Sequence, residues 1–279
     1  MFIKIGIIGL GFVGSAMYKS FLNKKISKKS ILVFDKYKKG GMGNFEDCLL
    51  SKILFLALPT SYSEANKEYD KSAIIETCEK LSSSKYKGIV VIKSTVEPET
   101  CEYLAKKYNL KIIHNPEFLS AKTAFHDFHN QRHIVLGTTS NCSFNKVNLL
   151  TKFYEKYYND AEISICSSKE SESMKLFCNC FYSIKIQFFT ELFLLCQKNG
   201  TDFNKVKSLM LKNKWINPMH TIIPGPDGNI SYGGFCFPKD TNALNEYMKK
   251  KNVFNNVINS CINERNLMRQ DNINIKKVC

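Results

Sequence analysis

A glycine-rich stretch near the start of the chain constrains its fold more than any other feature. Residues 9–14 read GLGFVG, directly after a short β-branched run and directly before residues with helical spacing. Gly9 permits the tight turn, Gly11 lets the backbone approach a pyrophosphate, and Gly14 lets helix and strand pack closely. The N-terminus of the helix adds positive potential for phosphate groups. The pattern predicts a βαβ unit that binds a dinucleotide.

An acid at the end of the second predicted strand indicates which dinucleotide is bound. Asp35 follows a strand-like run over residues 31–34, about 20 residues beyond Gly14, the distance of the acid that binds the ribose. Its carboxylate accepts hydrogen bonds from both ribose hydroxyls and repels a 2′-phosphate, so NAD is the predicted cofactor. In this motif the predicted cofactor contacts are Gly9, Gly11, Phe12, Val13, Gly14 and Asp35.

Strand-like and helical segments alternate through the first part of the chain. This alternation predicts a parallel sheet covered by helices, extending to about residue 166. The further predicted strands lie at residues 3–8, 52–58, 88–93, 111–114 and 133–136, and the predicted helices include 73–81 and 100–108.

From residue 167 the pattern becomes helical. Ser167 and Glu170 fit a capping box, and residues 171–199 are predicted to form one helix that stops at Gly200. Its apolar residues occupy nearly every face, so we expect burial on all sides, which a homodimer interface through this helix would provide. Further helices are predicted at residues 204–212 and 241–251. The predicted fold class is α/β: a Rossmann-type parallel-sheet domain over residues 1–166, followed by an all-helical domain over residues 167–279 with a long central helix.

Composition excludes several classes of protein. The net charge of +15 comes from short lysine clusters without a zinc-finger, homeodomain or RNP pattern, so we expect an anionic small substrate and no nucleic acid. No run of about 20 apolar residues occurs, and the first ten residues do not fit a signal peptide, so we expect a cytosolic protein without a membrane partner. The eleven cysteines contain no CxxC pair. The spacing of His126, His129 and His133 is interrupted by a turn-like Asn130-Gln131, so no metal site is predicted.

A glycine-rich loop in the second half carries the clearest chemical signal. Residues 224–241 read PGPDGNISYGGFCFPKDT and deliver Cys236 to the start of a helix that begins near Pro238. The dipole and the free N–H groups at a helix N-terminus favour the thiolate, which is the nucleophilic form of cysteine. Gly233 and Gly234 allow a ligand to approach the backbone closely.

This loop resembles the GGxCFPKD signature of the UDP-glucose/GDP-mannose dehydrogenase family. Other motifs resemble the same family and occur in the same order. Residues 93–96 read KSTV, residues 115–119 read NPEFL, and residues 58–60 read LPT, a shortened form of the family's VPTP turn. Lys175 and Asn179 lie four residues apart on the predicted long helix, and therefore on one face, as the family's lysine and asparagine do.

The resemblance implies the chemistry of the site. The family oxidises the C6 alcohol of a nucleotide sugar to a carboxylate with two NAD, most commonly UDP-glucose to UDP-glucuronate. By resemblance, Cys236 attacks the aldehyde-level intermediate and passes through a thiohemiacetal to a thioester. Lys175 and Asn179 stabilise the oxyanion. Asp240, with Thr95 and Glu117 holding water, assists deprotonation and thioester hydrolysis. The remaining residues carried over are cofactor contacts at Thr60, Thr95 and Lys239, and substrate contacts at Glu117, Phe118, Leu119, Lys175, Asn179, Tyr232, Gly233 and Gly234.

The chain also departs from the family pattern. Ala121 stands where the family carries a second loop glutamate, and Phe235 stands where serine is frequent. Family members continue into a third domain that grips the nucleotide, whereas this sequence ends at Cys279; we expect either a short form or a separate chain that completes the site. Two other functions fit parts of the pattern. One is an NAD-binding module that dimerises without turnover; the other is a two-electron β-hydroxyacid or 6-phosphogluconate-type dehydrogenase, which needs no thiol and is therefore disfavoured by Cys236.

Overall fold

The computed structural model describes residues 3–269 and 271, and these form two compact units. Of the described residues, the first unit contains 3–60 and 70–175, and the second contains 61–69, 176–269 and 271. The division into functional domains at residues 166 and 167 stays a prediction.

The predicted strands and helices appear in the predicted order with shifts at their ends, and the chain also forms elements that were not predicted, among them short strands at Met42–Gly43 and Tyr62–Ser63. In chain order the strands are β1 (Ile5–Ile8), β2 (Ile31–Asp35), β3 (Met42–Gly43), β4 (Ile53–Leu56), β5 (Tyr62–Ser63), β6 (Glu68–Tyr69), β7 (Ile89–Ile92), β8 (Lys111–His114), β9 (His133–Thr138) and β10 (Glu162–Ser167). The helices are α1 (Phe12–Asn23), α2 (Phe45–Cys48), α3 (Ser72–Ser83), α4 (Thr100–Tyr108), α5 (Ala124–His129), α6 (Phe144–Tyr157), α7 (Ser168–Asn199), α8 (Phe203–Leu211), α9 (Phe237–Lys250) and α10 (Asn256–Met268). Short 3₁₀ turns lie at Lys28–Ser30 and Lys38–Gly40.

The first unit is built on an eight-stranded sheet with the order β10-β9-β8-β7-β4-β1-β2-β3. The strands from β8 to β2 run parallel, which confirms the predicted parallel sheet for its centre. The strands at the two edges run against the central ones. β3 is antiparallel to β2, and β9 is antiparallel to β8; β10 is parallel to β9 and so also opposes the centre. Because β2 and β4 lie on opposite sides of β1, the order in which strands are added to the sheet reverses at β1. A crevice that can bind a ligand is expected at the carboxyl end of β1.

Side chains alternate between the two faces of this sheet and form two apolar cores. In β4, Phe55 packs with Phe21 of α1 and Phe153 of α6 on one face, with ring centroids 5.5–6.2 Å apart. Leu54 and Leu56 point to the other face, where α3 and α4 cover them. Because both faces are buried, the central strands consist of continuous apolar residues, as is typical of parallel sheets.

The long helix α7 begins and ends as its sequence predicts, although it starts three residues earlier than residue 171. Glu170 Oε2 accepts hydrogen bonds from the backbone N–H and the hydroxyl of Ser167, at 2.8 and 2.7 Å, and the Glu170 N–H donates to Ser167 Oγ at 3.2 Å. This reciprocal pair is the predicted capping box. At the other end, Gly200 has a φ of +68°, and the Thr201 N–H donates to the Cys196 carbonyl at 2.9 Å.

The second unit is mainly helical and also contains one short hairpin, which comes from residues 61–69 and so lies outside the range 167–279 that is predicted to be all-helical. Strands β5 and β6 form an antiparallel hairpin in which Tyr62 pairs with Tyr69. Both tyrosines are buried in one core cluster with Leu176 of α7, Leu244 of α9 and their neighbours. Strands of two residues are too short to show an alternating pattern in the sequence, so the hairpin could not be predicted from periodicity.

The single chain does not bury α7 on every face, so the burial on all sides that a homodimer interface would provide stays a prediction. Four large apolar residues of this helix are about half exposed, because the chain covers only part of its circumference. They are Phe177, Phe181, Phe188 and Leu195, with exposures of 49, 62, 51 and 54 %. Among the residues that the structure describes, no helix is long and apolar enough to cross a membrane.

Candidate active site

The glycine-rich turn between β1 and α1 has the geometry that its sequence predicts. Gly9 has a φ of +91°, a conformation that favours glycine. A Cβ atom on Gly14 would overlap the carbonyl oxygen of Gly9, so α1 can pack against β1 only without a side chain there. A Cβ on Gly11 would meet nothing within 4 Å, which leaves this backbone open to a ligand. Of the two other predicted contacts in the turn, Phe12 is half exposed and Val13 packs against the core.

Asp35 lies at the carboxyl end of β2, beside this turn. Its Oδ2 accepts the Leu10 N–H at 2.6 Å, and its Oδ1 accepts the N–H groups of Tyr37 and Lys38 at 2.9 Å each. Partial burial raises the pKa of Asp35, but the three donors and the Lys38 charge outweigh burial and hold the pKa below its ordinary value. The Lys38 ammonium also donates to the Leu10 carbonyl and to Ser15 Oγ. Asp35 is therefore fixed as an anion beside the turn, as a site for the ribose of NAD requires.

Thr60 and Thr95, which the motifs place at two strand ends, come together in the first unit. The Thr60 hydroxyl donates to the Thr95 carbonyl at 2.8 Å. The hydroxyl of Ser94 donates in the same way to the Leu58 carbonyl at 2.6 Å. These bonds connect the LPT turn to the KSTV motif at the carboxyl ends of β4 and β7.

A buried polar cluster holds Glu117. Lys93 Nζ lies 3.0 Å from Glu117 Oε2 and donates to Asn115 Oδ1 at 2.9 Å. The same Asn115 oxygen accepts the Tyr154 hydroxyl at 2.5 Å, and Asn115 Nδ2 donates to the Val135 carbonyl at 2.8 Å. Burial lowers the pKa of Lys93, although the charge of Glu117 acts in the opposite direction. Glu117 is thus half of a buried ion pair, and its orientation depends on Lys93.

A buried histidine supports the same strand ends. Burial lowers the pKa of His114 to about 3, and the positive charges of Lys93 and Lys175 act in the same direction. In the neutral imidazole, the Nε2–H donates to the Ser94 carbonyl at 3.3 Å and Nδ1 accepts the Ser171 hydroxyl at 2.8 Å. His114 therefore joins β8, the KSTV motif and the start of α7.

Lys175 lies on α7 within the first unit, where it contacts the NPEFL loop. Its side chain is buried, and its Nζ lies 4.7 Å from the centroid of the Phe118 ring, a cation–π geometry. The Phe118 N–H donates to Glu117 Oε1 at 3.1 Å, and Leu119 packs against the core. The predicted Lys175, Glu117, Phe118 and Leu119 therefore belong to one local cluster.

Cys236 is exposed at the N-terminus of α9 in the second unit. It occupies the N-cap position, and the helix begins at Phe237. The preceding Gly234 has a φ of +78°, and Phe235 is half exposed. The position at a helix N-terminus matches the prediction from the sequence, and exposure leaves the thiol accessible to a substrate.

Asp240, one turn further along α9, is completely buried and hydrogen-bonded. Its Oδ1 accepts the Lys239 ammonium and the Tyr69 hydroxyl, both at 2.5 Å, and its Oδ2 accepts Asn179 Nδ2 at 2.6 Å. Three predicted residues, Asn179, Lys239 and Asp240, therefore form one cluster. No sequence motif points to Tyr69. The ammonium group of Lys239, predicted as a cofactor contact, pairs with Asp240.

Two arginines of the second unit fix the backbone before Cys236. Arg265 Nε donates to the carbonyl of Tyr232, and the Tyr232 hydroxyl lies 3.4 Å from Thr241 Oγ1. Gly233 lies directly against the guanidinium of Arg269, where a Cβ would overlap its atoms. The predicted substrate contacts Tyr232 and Gly233 are thus part of a loop that Arg265 and Arg269 contact directly.

The predicted residues divide between the two units. Thr95, Glu117 and Lys175 belong to the first unit, and Asn179, Cys236 and Asp240 to the second.

The three spaced histidines lie on two different elements. The α5 helix ends at His129, and His133 opens β9, where its Nε2 lies 2.8 Å from Ser164 Oγ. Within residues 3–269 and 271, no three His, Cys, Asp or Glu side chains are grouped as a metal site would require.

Several supporting residues were missed from the sequence. Lys93 and Asn115 stand inside quoted motifs, and their polar character at buried strand ends was the available signal. Tyr69 gave no such signal, since it lies in a short hairpin far along the chain from its partner.

Together the fold and these residues define a Rossmann-type dinucleotide-binding protein with a second, mainly helical unit that carries an exposed thiol. Residues 44–158 match the NAD binding domain of the UDP-glucose/GDP-mannose dehydrogenase family, and residues 169–267 match its central domain. The chain belongs to this family, as the motifs indicated, and its cofactor is NAD.

Individual relatives agree with this assignment. The chain is 32 % identical over 224 residues to the UDP-glucose 6-dehydrogenase of Rickettsia bellii, a match that covers 78 % of this chain and 50 % of that protein. It is 25 % identical over 269 residues to the UDP-glucose 6-dehydrogenase of Campylobacter jejuni, covering 86 % of this chain and 67 % of that protein. A UDP-glucose dehydrogenase structure from Pyrobaculum islandicum has a similar fold, with a TM-score of 0.81 at 21 % identity, covering 96 % of this chain and 68 % of that one. The chain spans half to two thirds of the length of the two curated relatives.

Proposed function

We propose that this chain is an NAD-dependent nucleotide-sugar dehydrogenase that oxidises a C6 alcohol to a carboxylate, with UDP-glucose as the first substrate to test. Residues 1–166 bind NAD, and residues 167–279 carry the reactive cysteine. The observation that carries the proposal is an exposed cysteine at a helix N-terminus, one turn before a buried aspartate bound by Asn179 and Lys239. A two-electron dehydrogenase has no use for such a thiol.

The glycine-rich turn and Asp35 fit the proposed cofactor. Gly11 leaves the backbone open for a pyrophosphate, and Asp35 Oδ2, which accepts the Leu10 N–H, has a second lone pair that can accept a hydrogen bond from a ribose hydroxyl. Thr60 and Thr95 lie at the strand ends beside this region. When bound, NAD supplies the acceptor for hydride.

The residues of the chain account for the covalent steps. The Cys236 thiolate attacks the aldehyde carbon, a C–S bond forms, and the carbonyl oxygen becomes an oxyanion that Lys175 and Asn179 stabilise. After loss of hydride to NAD and formation of the thioester, water attacks the carbonyl carbon and gives up its two protons to solvent, with Asp240 assisting this deprotonation. The C–S bond breaks, and the products are the carboxylate and the free thiolate. Glu117, fixed by Lys93, and Thr95 hold that water.

The stoichiometry of the reaction tests this proposal. Purified chain is supplied with NAD and, in separate assays, with UDP-glucose, GDP-mannose or UDP-N-acetylmannosamine. We expect two NADH per sugar consumed, with turnover lost in Cys236→Ala and retained in Cys166→Ala, which removes a half-buried thiol of β10. One NADH per sugar would contradict the thioester route. NAD binding without oxidation of any sugar would favour an NAD-binding module instead.

We further propose that the chain forms a homodimer through α7. The exposed side chains of Phe177, Phe181, Phe188 and Leu195 are spaced by four and seven residues, so they lie on one side of the helix. An apolar stripe of this kind is typical of an interface. Analytical ultracentrifugation should show a dimer that Phe181→Glu dissociates, whereas Phe144→Glu on the exposed start of α6 leaves it intact.

A further inference from the structure

The buried carboxylate of Asp240 is held by side chains from three separate parts of the second unit. Asn179 comes from α7, Lys239 from α9 itself, and Tyr69 from the β5–β6 hairpin. Asp240 has no exposed surface, and Tyr69 has 1 %. Because a carboxylate without hydrogen-bond donors is costly to bury, these three donors determine where its charge lies.

Tyr69 contacts both members of the Lys239–Asp240 ion pair. Its hydroxyl donates to Asp240 Oδ1 at 2.5 Å, the same oxygen that the Lys239 ammonium approaches. The Lys239 Nζ also lies 4.5 Å from the centroid of the Tyr69 ring. The ring and the hydroxyl therefore act on opposite charges, and substitution by phenylalanine removes only the effect on the carboxylate.

Asp240 is connected directly to the helix turn that begins with Cys236. The Asp240 N–H donates to the Cys236 carbonyl at 3.0 Å, so the two residues lie one turn apart on the same side of α9. Each donor to the carboxylate disperses its negative charge and weakens the field that this charge exerts on the turn.

We propose that Tyr69 is a positioning residue for the reactive loop, which acts on Cys236 through Asp240. Its hydroxyl orients Asp240 Oδ1 and disperses the carboxylate charge, and this keeps Lys239 in place at the helix turn that begins with Cys236. Where it concerns turnover, this inference rests on the proposed function. Where it concerns the thiol, it stands on the geometry of the second unit alone.

Alkylation of Cys236 by iodoacetamide, followed by peptide mass spectrometry across a pH series, tests the inference without any substrate. In Tyr69→Phe we expect the rate near neutral pH to fall about threefold and the whole rate–pH profile to move to higher pH. The control is Tyr62→Phe, which removes a hydroxyl from the cross-strand neighbour in the same hairpin and should leave the profile unchanged. Coincident profiles for Tyr69→Phe and the unmodified protein would overturn the inference, as would an equal effect of Tyr62→Phe.

A double-mutant cycle tests whether Tyr69 acts through Asp240. In an Asp240→Asn background, Tyr69→Phe should change the alkylation rate by less than about 1.5-fold, because the charge it influences is gone. A full threefold effect in that background would show that Tyr69 acts by another route. If Tyr69→Phe alone does not fold, the alkylation rates of Asp240→Asn and of the double variant are compared with each other.

Turnover separates this inference from the proposed function. If a nucleotide sugar is oxidised, Tyr69→Phe should lower kcat about tenfold with KM changed less than twofold, since the hydroxyl contributes after binding. If no sugar is oxidised but the alkylation profile moves as expected, the proposed function fails and the positioning of Cys236 is supported. An unchanged kcat in an active enzyme would contradict the inference.

Discussion

Replacing Glu172 by glutamine should change how the stability of this protein depends on pH. Glu172 lies on α7 with no exposed surface, and its carboxylate accepts the N–H groups of Glu99 and Cys101 at 2.7 Å each, at the start of α4. Burial raises the pKa of Glu172 from 4.5 to about 7, although these hydrogen bonds act to lower it. The neighbouring Glu97 adds a smaller effect in the same direction as burial.

The magnitude follows from the proton balance. Between pH 4.5 and about pH 7 the folded protein holds a proton on Glu172 that the unfolded chain has released. The free energy of unfolding therefore falls as the pH rises through this range, and the full loss of stability is present above the folded-state pKa of about 7. At about 1.4 kcal/mol per pKa unit, the full interval corresponds to about 3 kcal/mol, of which roughly 2.5 kcal/mol falls between about pH 5 and pH 8. Glu172→Gln has no such titration, so its stability relative to the unmodified protein should rise by that amount over this range.

Urea unfolding at several pH values measures the difference directly. Other titrating groups are common to both proteins and cancel. Glu170→Gln is a matched control two residues away, since Glu170 is exposed and its hydrogen bonds to Ser167 lower its pKa. A difference between Glu172→Gln and the unmodified protein that stays constant across this pH range would refute the reasoning.

Three further sets of substitutions test the local arguments. Gly14→Ala should prevent stable folding of the first unit, whereas Gly11→Ala should fold normally and weaken NAD binding, as thermal unfolding and calorimetric titration would show. Lys93→Met should destabilise the protein by about 3–5 kcal/mol in urea unfolding, because it leaves a buried carboxylate unpaired, and adding Glu117→Gln should restore most of that loss. Gly200→Ala should cost about 1 kcal/mol, because its φ of +68° strains any residue with a Cβ; equal unfolding midpoints would contradict this.

Much of the fold was predictable because its signals are local. The apolar run of β4, the glycines around β1 and the Ser167–Glu170 capping box each act over a few residues, and each appears as predicted. The β5–β6 hairpin was not predictable, because strands of two residues carry no period. The apolar composition of α7 predicts burial on all sides through a homodimer, but it does not say which face of the helix a single chain covers.

The candidate site was predicted less completely than the fold. The motifs identify residues such as Cys236 and Glu117, but not the side chains that hold them. Lys93 supports Glu117 from a neighbouring strand, and Tyr69 reaches Asp240 across 171 residues of sequence. Such partners depend on how strands and helices are brought together, and one sequence contains no local pattern for that.

The junction between β10 and α7 has a consequence for how this protein can evolve. β10 ends at Ser167 and α7 begins at Ser168, so no loop separates the edge strand from the long helix. Each residue inserted or deleted at this junction rotates all later side chains of the helix by about 100°. Surface loops elsewhere can change length one residue at a time. At this junction, only an insertion or deletion close to a whole number of helical turns leaves each side chain of α7 on the same side of the helix. We therefore expect this junction to keep a constant length among related sequences.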